Sequence, residues 1–311
     1  MLKISHQKNK SILITGANGN IGSFLYNRLS EDYTVIGTRF SQSNNQKNLN
    51  QLDLSDSSAV DLFVQETELC DTLIFLVGLA HKKGKGQEID CFRVINVQTL
   101  KNILTKLKVH NKVPKKIIFA STISIYGERL QKNTYSENTK TFPFSPYAIT
   151  KLEAEEYLLN NYGTQSWVLR LAPVYAPKFL LNIQRRTKMG GMSYRVGKGT
   201  AKLSLCNMKN IESAVEGILN NKVPAGVYNI SDEIDYTYND LLKHVNAEWI
   251  IPIPTLFMKG LYGLGKLMNN VFLKENVTKL VSDNIFPSDK ISKYISLTAT
   301  LDGCKVLLNQ R

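Results

Sequence analysis

Apolar residues form short continuous runs and amphipathic segments in turn through the first half of the chain. The runs are Ser11–Thr15, Asp71–Gly78, Lys115–Ser121 and Trp167–Leu171. Continuous apolar runs of this length are typical of parallel strands that are buried on both faces. Between them, Cys91–Asn111 places its apolar residues at the three- and four-residue spacing of an amphipathic helix. This order predicts an α/β fold with a doubly wound parallel sheet and right-handed crossovers.

A glycine-rich turn follows the first predicted strand. In "GANGNIG", Gly16, Gly19 and Gly22 are spaced three apart, and a helical pattern begins at Ile21. The first glycine permits a tight turn, the second lets a pyrophosphate approach the backbone, and the third lets the helix pack on the strand. The helix N-terminus then offers N–H groups and its positive dipole end to phosphates. Strand, turn and helix together predict a dinucleotide-binding Rossmann-type unit.

Arg39 comes directly after the second predicted strand, Tyr33–Thr38. At this position a carboxylate binds the ribose 2′-OH of NAD, whereas an arginine accommodates the 2′-phosphate of NADP. Arg39 therefore favours NADP(H) over NAD(H). The alternative is a solvated arginine at the start of a polar loop, so both cofactors remain open.

A helix is predicted to begin at Pro146, with Ser145 as its N-cap and Gly163 as its stop. Tyr147 and Lys151 lie four residues apart in it, so their side chains share one helix face. A free tyrosine titrates at about pH 10, and a neighbouring lysine cation favours its phenolate form. The pair predicts an acid/base tyrosine tuned by a lysine; the alternative is a solvated helix face.

Three hydroxyl residues stand where the strand of residues 115–121 ends, namely Ser121, Thr122 and Ser124. Ligands of open α/β sheets bind beyond the carboxyl ends of the strands. The position of these hydroxyls is therefore one at which chemistry is expected.

The pattern changes after Pro177, where short strands and helices alternate and residues 249–270 are interrupted by prolines. We predict a dinucleotide-binding Rossmann domain over residues 1–176. Residues 177–311 are expected to form mainly a smaller, mixed α/β, substrate-binding lobe, with segments of about 203–232 returning to the main domain.

The chain has 311 residues and a formal net charge of +13. Its lysines and arginines are spread along the sequence without a block of five or six like charges, and no aromatic platform alternates with them. A nucleic-acid partner is therefore not expected. A mildly basic surface suits a small anionic substrate such as a nucleotide.

Trp249–Met268 is the only stretch apolar enough to consider as a membrane span. It contains two prolines, three glycines and two lysines, so we expect a partly buried helix and no span. Cys70, Cys91, Cys206 and Cys304 show no paired spacing, which predicts reduced thiols and no metal site. Without a secretory signal at the N-terminus, the expected location is cytoplasmic.

These motifs follow one another as in a known family. The chain resembles the extended short-chain dehydrogenase/reductases of the NAD-dependent epimerase/dehydratase family, which act on nucleotide sugars. The resemblance covers nearly the whole chain and rests on "GANGNIG", "LDLSD", "INVQTLKNIL", "STISIYG", "YAITK", "LRLAPVYAP" and "GVYNISD". It implies a Rossmann-type sheet with a smaller C-terminal lobe, a nucleotide-sugar substrate and a homodimer.

The resemblance also implies roles for single residues. Thr122 would hydrogen-bond the reacting sugar oxygen, Tyr147 would be the acid/base, and Lys151 would hold the nicotinamide ribose and lower the pKa of the tyrosine. Ser124 and Lys202 would contact the substrate. Together with the glycine motif and Arg39, the cofactor-binding set is Gly16, Gly19, Asn20, Ile21, Gly22, Arg39, Asp53, Leu54, Leu76, Gly78, Ala80, Asn96 and Lys151.

Two departures from the family pattern reduce the number of reactions that the resemblance implies. After Thr122 the chain has Ile123 and Ser124, where the 4,6-dehydratases have Asp-Glu, so dehydration is disfavoured. Ile123 also replaces the cysteine of the reductase/epimerases that make GDP-fucose. The resemblance then implies hydride chemistry at sugar C4 in bacterial polysaccharide synthesis, by a 4-epimerase or a 4-keto-reductase. The alternative from another class is a non-catalytic NADP-binding redox sensor, which would not need Thr122, Tyr147 and Lys151.

Overall fold

The computed structural model describes residues 10–41, 48–80, 89–127, 130 and 134–303, and Cys304 lies outside them. The chain divides into two compact units. The first unit runs from the start of the described chain to Ser121 and includes Pro146–Leu169 and Pro224–Val227. The second unit contains the described residues of Thr122–Ser145, Arg170–Val223 and the chain from Tyr228 onwards.

Strands and helices alternate through the first part of the described chain. In order they are β1 (Ser11–Thr15), α1 (Asn20–Leu29), β2 (Thr34–Arg39), β3 (Asn50–Gln51), α2 (Ser57–Glu66), β4 (Thr72–Phe75), α3 (Ile89–Arg93), α4 (Thr99–Val109), β5 (Lys116–Thr122), α5 (Pro146–Tyr162) and β6 (Ser166–Leu171). Helix α5 begins at Pro146 and ends just before Gly163, as the capping signals predict.

Shorter elements follow. They are β7 (Val174–Tyr175), α6 (Leu181–Thr187), β8 (Lys188–Met189), β9 (Met192–Val196), β10 (Lys202–Leu203), β11 (Cys206–Asn207), α7 (Met208–Leu219), β12 (Gly226–Ile230), β13 (Tyr236–Thr237), α8 (Tyr238–His244), β14 (Ile250–Ile253), α9 (Thr255–Leu267), α10 (Val271–Val281) and α11 (Asp289–Ser292).

The central sheet has seven strands in the order β12-β6-β5-β4-β1-β2-β3. Strand β1 pairs in parallel with β2 on one side and with β4 on the other, and β4 pairs in parallel with β5. The predicted doubly wound parallel sheet is confirmed. Because the chain winds outward in both directions from β1 and β4, the carboxyl ends of these strands flank the crevice where such sheets bind ligands.

The core of the first unit explains the apolar runs of the sequence. Leu13, Leu73, Phe75, Ile117 and Phe119 of the central strands are buried together with side chains of α2, α4 and α5. The rings of Phe75 and Phe119 stack with their centroids 6.1 Å apart. Burying these strands on both faces removes the polar alternation that an exposed strand would show.

The helix predicted over residues 91–111 is not continuous. A π-helical turn, Val94–Gln98, separates α3 from α4. The extra residue of a π turn moves one side chain out of the α-helical register, and such turns often lie at functional sites. Here the turn contains Asn96, whose side chain is fully buried and hydrogen-bonded to two other segments. Hydrophobic periodicity does not indicate this interruption, because the apolar spacing on either side of it is helical.

The second unit has its own core. Tyr175, Ile183, Leu205, Tyr236 and Leu241 are buried in one cluster. The unit also contains small sheets, with β10 paired to β13, β11 to β7, and β9 between β8 and β14.

The described cysteines are all free thiols. Cys70 and Cys206 are buried free thiols and Cys91 is an exposed one. The described residues contain no group of three histidine, cysteine or acidic side chains that could hold a metal ion. None of the described helices is both long and apolar enough to cross a bilayer.

Candidate active site

The glycine motif forms a tight cradle between β1 and α1. Gly16 has a φ of +72°, which favours glycine, and its carbonyl accepts a hydrogen bond from the Gly19 N–H at 3.0 Å. A Cβ added to Gly22 would overlap the Gly16 carbonyl oxygen and lie 2.8 Å from Ala17 Cα. Helix α1 starts at Asn20 after Gly19, which has no side chain to cap it. The first-turn N–H groups of Asn20 and Ile21 are therefore not covered by a capping side chain, as a phosphate site requires.

Arg39 ends β2 beside this cradle. The Ala17 N–H donates to the Thr38 carbonyl at 2.8 Å, so the end of β2 is tied to the glycine turn. Arg39 itself is partly buried, and its carbonyl accepts from the Leu52 N–H at 2.8 Å. Arg39 thus stands at the end of the second strand of the sheet, beside the glycine turn.

Asp53 and Leu54 follow β3. The Asp53 carboxylate accepts hydrogen bonds from the Ser55 N–H at 2.8 Å and the Ser55 hydroxyl at 2.6 Å, and so it shapes its own turn. The Leu54 side chain is buried in the core of the first unit, and its carbonyl accepts from Asn102 at 3.0 Å. Of the two, Asp53 is the more accessible from outside.

The chain after β4 brings several predicted cofactor residues together. The Leu76 N–H donates to the Thr15 carbonyl at 3.2 Å, and Gly16 packs against the Leu76–Val77 backbone. Gly78 is exposed and sits close to Lys151, because a Cβ added there would lie 3.0 Å from Lys151 Nζ. Ala80 is partly buried two residues further on.

Asn96 fixes this segment from the π turn. Its Oδ1 accepts from the Leu79 N–H at 2.7 Å, and its Nδ2 donates to the Leu79 carbonyl at 3.3 Å and to the Thr150 hydroxyl at 2.9 Å. One side chain therefore links the loop after β4 to α5. It lies beside Gly78 and Lys151, and its amide is engaged by the protein itself.

Lys151 lies at the centre of this group. Its ammonium donates to the Ala120 carbonyl at 2.9 Å and to the Val77 carbonyl at 3.2 Å, and it stands 4.5 Å from the centroid of the Phe119 ring. Burial lowers the pKa of Lys151 to about 8, against the opposing field of Glu155. The cation thus lies at the carboxyl ends of β4 and β5, the region that binds ligands in this kind of sheet.

Tyr147 precedes Lys151 by one helical turn of α5. It is partly exposed, whereas Lys151 is buried. Residues four apart on an α-helix lie on one face, so both members of the predicted pair belong to the same part of the first unit. A lysine cation one helical turn from a tyrosine can favour the phenolate form that acid/base chemistry uses.

One partner of this site, Glu155, is not predicted by the sequence motifs. It is buried one further turn along α5 and accepts a short hydrogen bond from the Ser121 hydroxyl. Ser121 is therefore oriented toward α5, and its hydroxyl is engaged there. Glu155 follows Lys151 by four residues, as Lys151 follows Tyr147, so the spacing of the three was a usable signal.

The remaining predicted residues lie in the second unit. The Thr122 side chain is buried at the end of β5 and accepts a hydrogen bond from the Ser124 N–H at 3.2 Å. Ser124 is partly buried in the short 3-10 helix that follows. Lys202 is exposed in β10, where its N–H donates to Asp283 at 2.8 Å.

The first unit has what a dinucleotide needs. The glycine cradle leaves no room for a Cβ at Gly22, the start of α1 has no side-chain cap, and a buried cation lies at the ends of β4 and β5. Free N–H groups fit a pyrophosphate, and an ammonium fits the hydroxyls of a ribose. These residues can hold a dinucleotide, and α5 can supply an acid/base group beside it.

The sequence matches the NAD dependent epimerase/dehydratase family over residues 12–231. An N-acetyl-alpha-D-glucosaminyl-diphospho-ditrans,octacis-undecaprenol 4-epimerase of Escherichia coli O157:H7 is 27% identical over 308 residues, which cover 96% of this chain and 89% of that protein.

Solved structures show the same fold. A UDP-glucose 4-epimerase of Thermotoga maritima with UDP-glucose superposes with a TM-score of 0.72 at 21% identity, over 96% of this chain and 97% of that chain. A UDP-glucuronic acid 4-epimerase of Bacillus cereus in complex with NAD has a TM-score of 0.70 at 20% identity, over 95% of this chain and 94% of that chain.

Proposed function

The chain belongs to the NAD-dependent epimerase/dehydratase family, and from that premise we propose that it epimerises a diphosphate-linked sugar at C4. The observation that carries the proposal is the position of Lys151, buried at the ends of β4 and β5 one turn from Tyr147 on α5. Hydride transfer at an alcohol carbon needs an adjacent group that removes and returns the hydroxyl proton, and a tyrosine paired with a lysine cation can do so near neutral pH.

Each residue then has a defined task. Tyr147 would remove the proton of the C4 hydroxyl when that alcohol is oxidised, and would return the proton to the C4 oxygen when the ketone is reduced from the other face. Lys151 favours the phenolate form of Tyr147 by its charge. Thr122 hydrogen-bonds the sugar oxygen that alternates between hydroxyl and keto forms. Ser124 and Lys202 contact the substrate, with Lys202 on the diphosphate.

The nicotinamide dinucleotide, when bound, supplies the hydride acceptor and donor. Gly16, Gly19 and Gly22 would allow its pyrophosphate to reach the start of α1. Lys151, Gly78 and Asn96 would lie beside its ribose, with Lys151 donating to the ribose hydroxyls. The other proposed contacts are Asn20, Ile21, Arg39, Asp53, Leu54, Leu76 and Ala80.

The family relation supports a nucleotide sugar as the substrate. The relative from Escherichia coli O157:H7 acts, by its name, on a sugar joined through a diphosphate to undecaprenol, which supports a polyprenyl carrier as the second candidate. The two share the sugar and the diphosphate, and differ in the group beyond it.

The test is the interconversion of epimers by the purified protein. UDP-N-acetylglucosamine and a polyprenyl-diphosphate N-acetylglucosamine would be supplied in separate assays, and the C4 epimers separated by chromatography. We expect Tyr147→Phe to lower kcat by about 10²–10⁴-fold, because it removes the acid/base group. Tyr162→Phe, at the far end of α5, is the matched control and should keep wild-type activity. Full activity of Tyr147→Phe would refute the mechanism.

A 4-keto-reductase is the second candidate reaction, and Arg39 is the observation that favours it. An arginine at this position accommodates the NADP 2′-phosphate, and exchangeable NADPH suits a reductase. Consumption of NADPH with a UDP-4-keto-6-deoxy sugar, without epimer interconversion, would select it.

The phosphate role of Arg39 has its own test. Arg39→Ser should reduce the preference for NADPH over NADH by at least about tenfold, since it removes a charge-assisted contact. Titration of each cofactor, followed by nicotinamide fluorescence, measures this ratio. If the ratio of NADPH to NADH affinity is the same in wild type and variant, Arg39 does not contact the 2′-phosphate of the cofactor.

A further inference from the structure

Helix α9 exposes several large apolar side chains to solvent. Its inner face packs on α10, since Met258 is buried and a Cβ added to Gly265 would touch Leu273 at 3.3 Å. A surface helix of a soluble protein normally turns its apolar stripe inward and its polar residues outward. The outward positions of α9 depart from this pattern.

The outward stripe contains no polar side chain. Its residues follow helical spacing and are Leu256, Gly260, Gly263, Leu264 and Leu267, a set named here the α9 face. Leu256 is 81% exposed and Leu267 is 86% exposed. Around Gly260 and Gly263 there is open space where a side chain would be. Exposed apolar stripes of this kind mark a surface that another phase or partner covers.

Charge indicates what covers it. Residues 249–274 contain three lysines and no acidic residue. Lys259 and Lys266 are exposed two helical turns apart, so both lie along one edge of the α9 face. The ion pairs found among the described residues involve neither of them. Lysines beside an apolar stripe are complementary to anionic lipid headgroups above an acyl layer.

We propose that the α9 face is a docking surface for an anionic phospholipid bilayer. The helix lies in the plane of the interface, with Leu256, Leu264 and Leu267 among the acyl chains and Lys259 and Lys266 at the headgroups. At 13 residues and a rise of about 1.5 Å per residue, α9 is about 20 Å long, which suits an in-plane helix. The proposal does not depend on the proposed reaction, because binding to vesicles is measured without turnover.

The experiment is flotation of the whole protein with vesicles. Wild type should float with phosphatidylcholine/phosphatidylglycerol vesicles and bind phosphatidylcholine vesicles much more weakly. Leu256→Ser with Leu267→Ser should weaken binding to the anionic vesicles by at least about tenfold, because two exposed leucines no longer enter the acyl layer. Lys259→Glu with Lys266→Glu should also weaken it at least about tenfold, and added salt should do the same to wild type.

Leu62→Ser with Leu69→Ser is the matched control. These leucines are exposed in the first unit, away from α9 in sequence, and the double variant should bind vesicles as wild type does. Activity on a soluble nucleotide sugar should be equal in wild type and the Leu256/Leu267 double variant, which keeps failure of docking distinct from failure of the proposed reaction.

Three results would overturn the proposal. The first is wild-type protein that does not float with anionic vesicles. The second is binding that the Leu256/Leu267 variant retains in full. The third is wild-type protein that self-associates but does not bind vesicles, together with loss of this self-association in the Leu256/Leu267 variant. The α9 face would then be an interface with a second copy of the chain.

Discussion

The ammonium group of Lys151 is held in a place that disfavours its charge. It is buried against the Val77 and Ala120 carbonyls, and burial lowers its pKa from the ordinary 10.5 to about 8. Below pH 8 the folded protein therefore holds a cation that would be better solvated in the unfolded chain. The same placement puts a positive charge one turn from Tyr147, where the proposed reaction uses it.

This cost predicts an unusual pH dependence of stability. Between pH 8 and 10.5 the unfolded chain keeps a proton on Lys151 that the folded protein has released. Unfolding then binds a proton, so a rise in pH favours the folded state across this window. Across this window the free energy of unfolding of wild type should rise by about 3 kcal/mol relative to that of Lys151→Met, since one pKa unit corresponds to about 1.4 kcal/mol.

Urea unfolding of wild type and Lys151→Met at a series of pH values measures the difference. Lys151→Met should also lose at least about 10²-fold in activity, because Tyr147 loses the charge that favours its phenolate. Stability curves that stay parallel from pH 7 to pH 11 would show that the Lys151 cation is solvated in the folded protein.

At the scale of single elements, local patterns were predictable and distant pairings were not. The strand β1, the glycine turn and the start of α5 follow from short signals, and the structure has them where expected. The bond of Asn96 to Thr150 joins residues 54 apart, and that of Ser121 to Glu155 joins residues 34 apart. No periodicity or capping signal determines which buried side chains meet across such separations. The sequence therefore indicates the candidate residues, and only the fold shows which carbonyls and side chains hold them.

The glycine turn supplies a prediction about one of its members. A methyl group at Gly22 would overlap the Gly16 carbonyl oxygen and press on Ala17 Cα at 2.8 Å. Both are backbone atoms, so relief requires α1 to move away from β1. Gly22→Ala should cost about 2–3 kcal/mol of stability and weaken dinucleotide binding at least about tenfold, because the start of α1 would shift from the phosphates.

Gly163→Ala is the control for this substitution. A Cβ at Gly163 meets nothing within 4 Å, so the change should alter stability by no more than about 1 kcal/mol. Thermal unfolding and a cofactor titration by fluorescence measure both variants. Equal dinucleotide affinity of Gly22→Ala and wild type would show that the close packing of helix on strand is not what positions the phosphate site.

At the scale of the whole molecule, each unit is organised by a buried polar group of its own. In the second unit this group is Asp232. Its Oδ1 accepts from the Asn207 N–H at 2.7 Å and Asn210 Nδ2 at 2.8 Å, and its Oδ2 accepts from the Tyr175 hydroxyl at 2.6 Å and the Tyr236 hydroxyl at 2.8 Å. Strands β7, β11 and β13 and helix α7 are thus tied to one carboxylate.

Burial raises the pKa of Asp232 even though the four hydrogen bonds act in the opposite direction. We therefore expect the hydrogen bonds, and not the negative charge, to hold the second unit together. Two substitutions separate these effects. Asp232→Asn keeps an acceptor for the two amide donors. Its new N–H groups can donate to the tyrosine hydroxyls, because a hydroxyl also accepts hydrogen bonds. This variant should lose less than about 1.5 kcal/mol of the free energy of unfolding. Asp232→Leu removes the acceptor of all four hydrogen bonds, although Asn210 Nδ2 keeps its other bond to the Ala299 carbonyl, and should cost about 3–5 kcal/mol. Urea unfolding at neutral pH measures both, and equal losses in the two variants would mean that the negative charge, and not the hydrogen bonding, holds the second unit together.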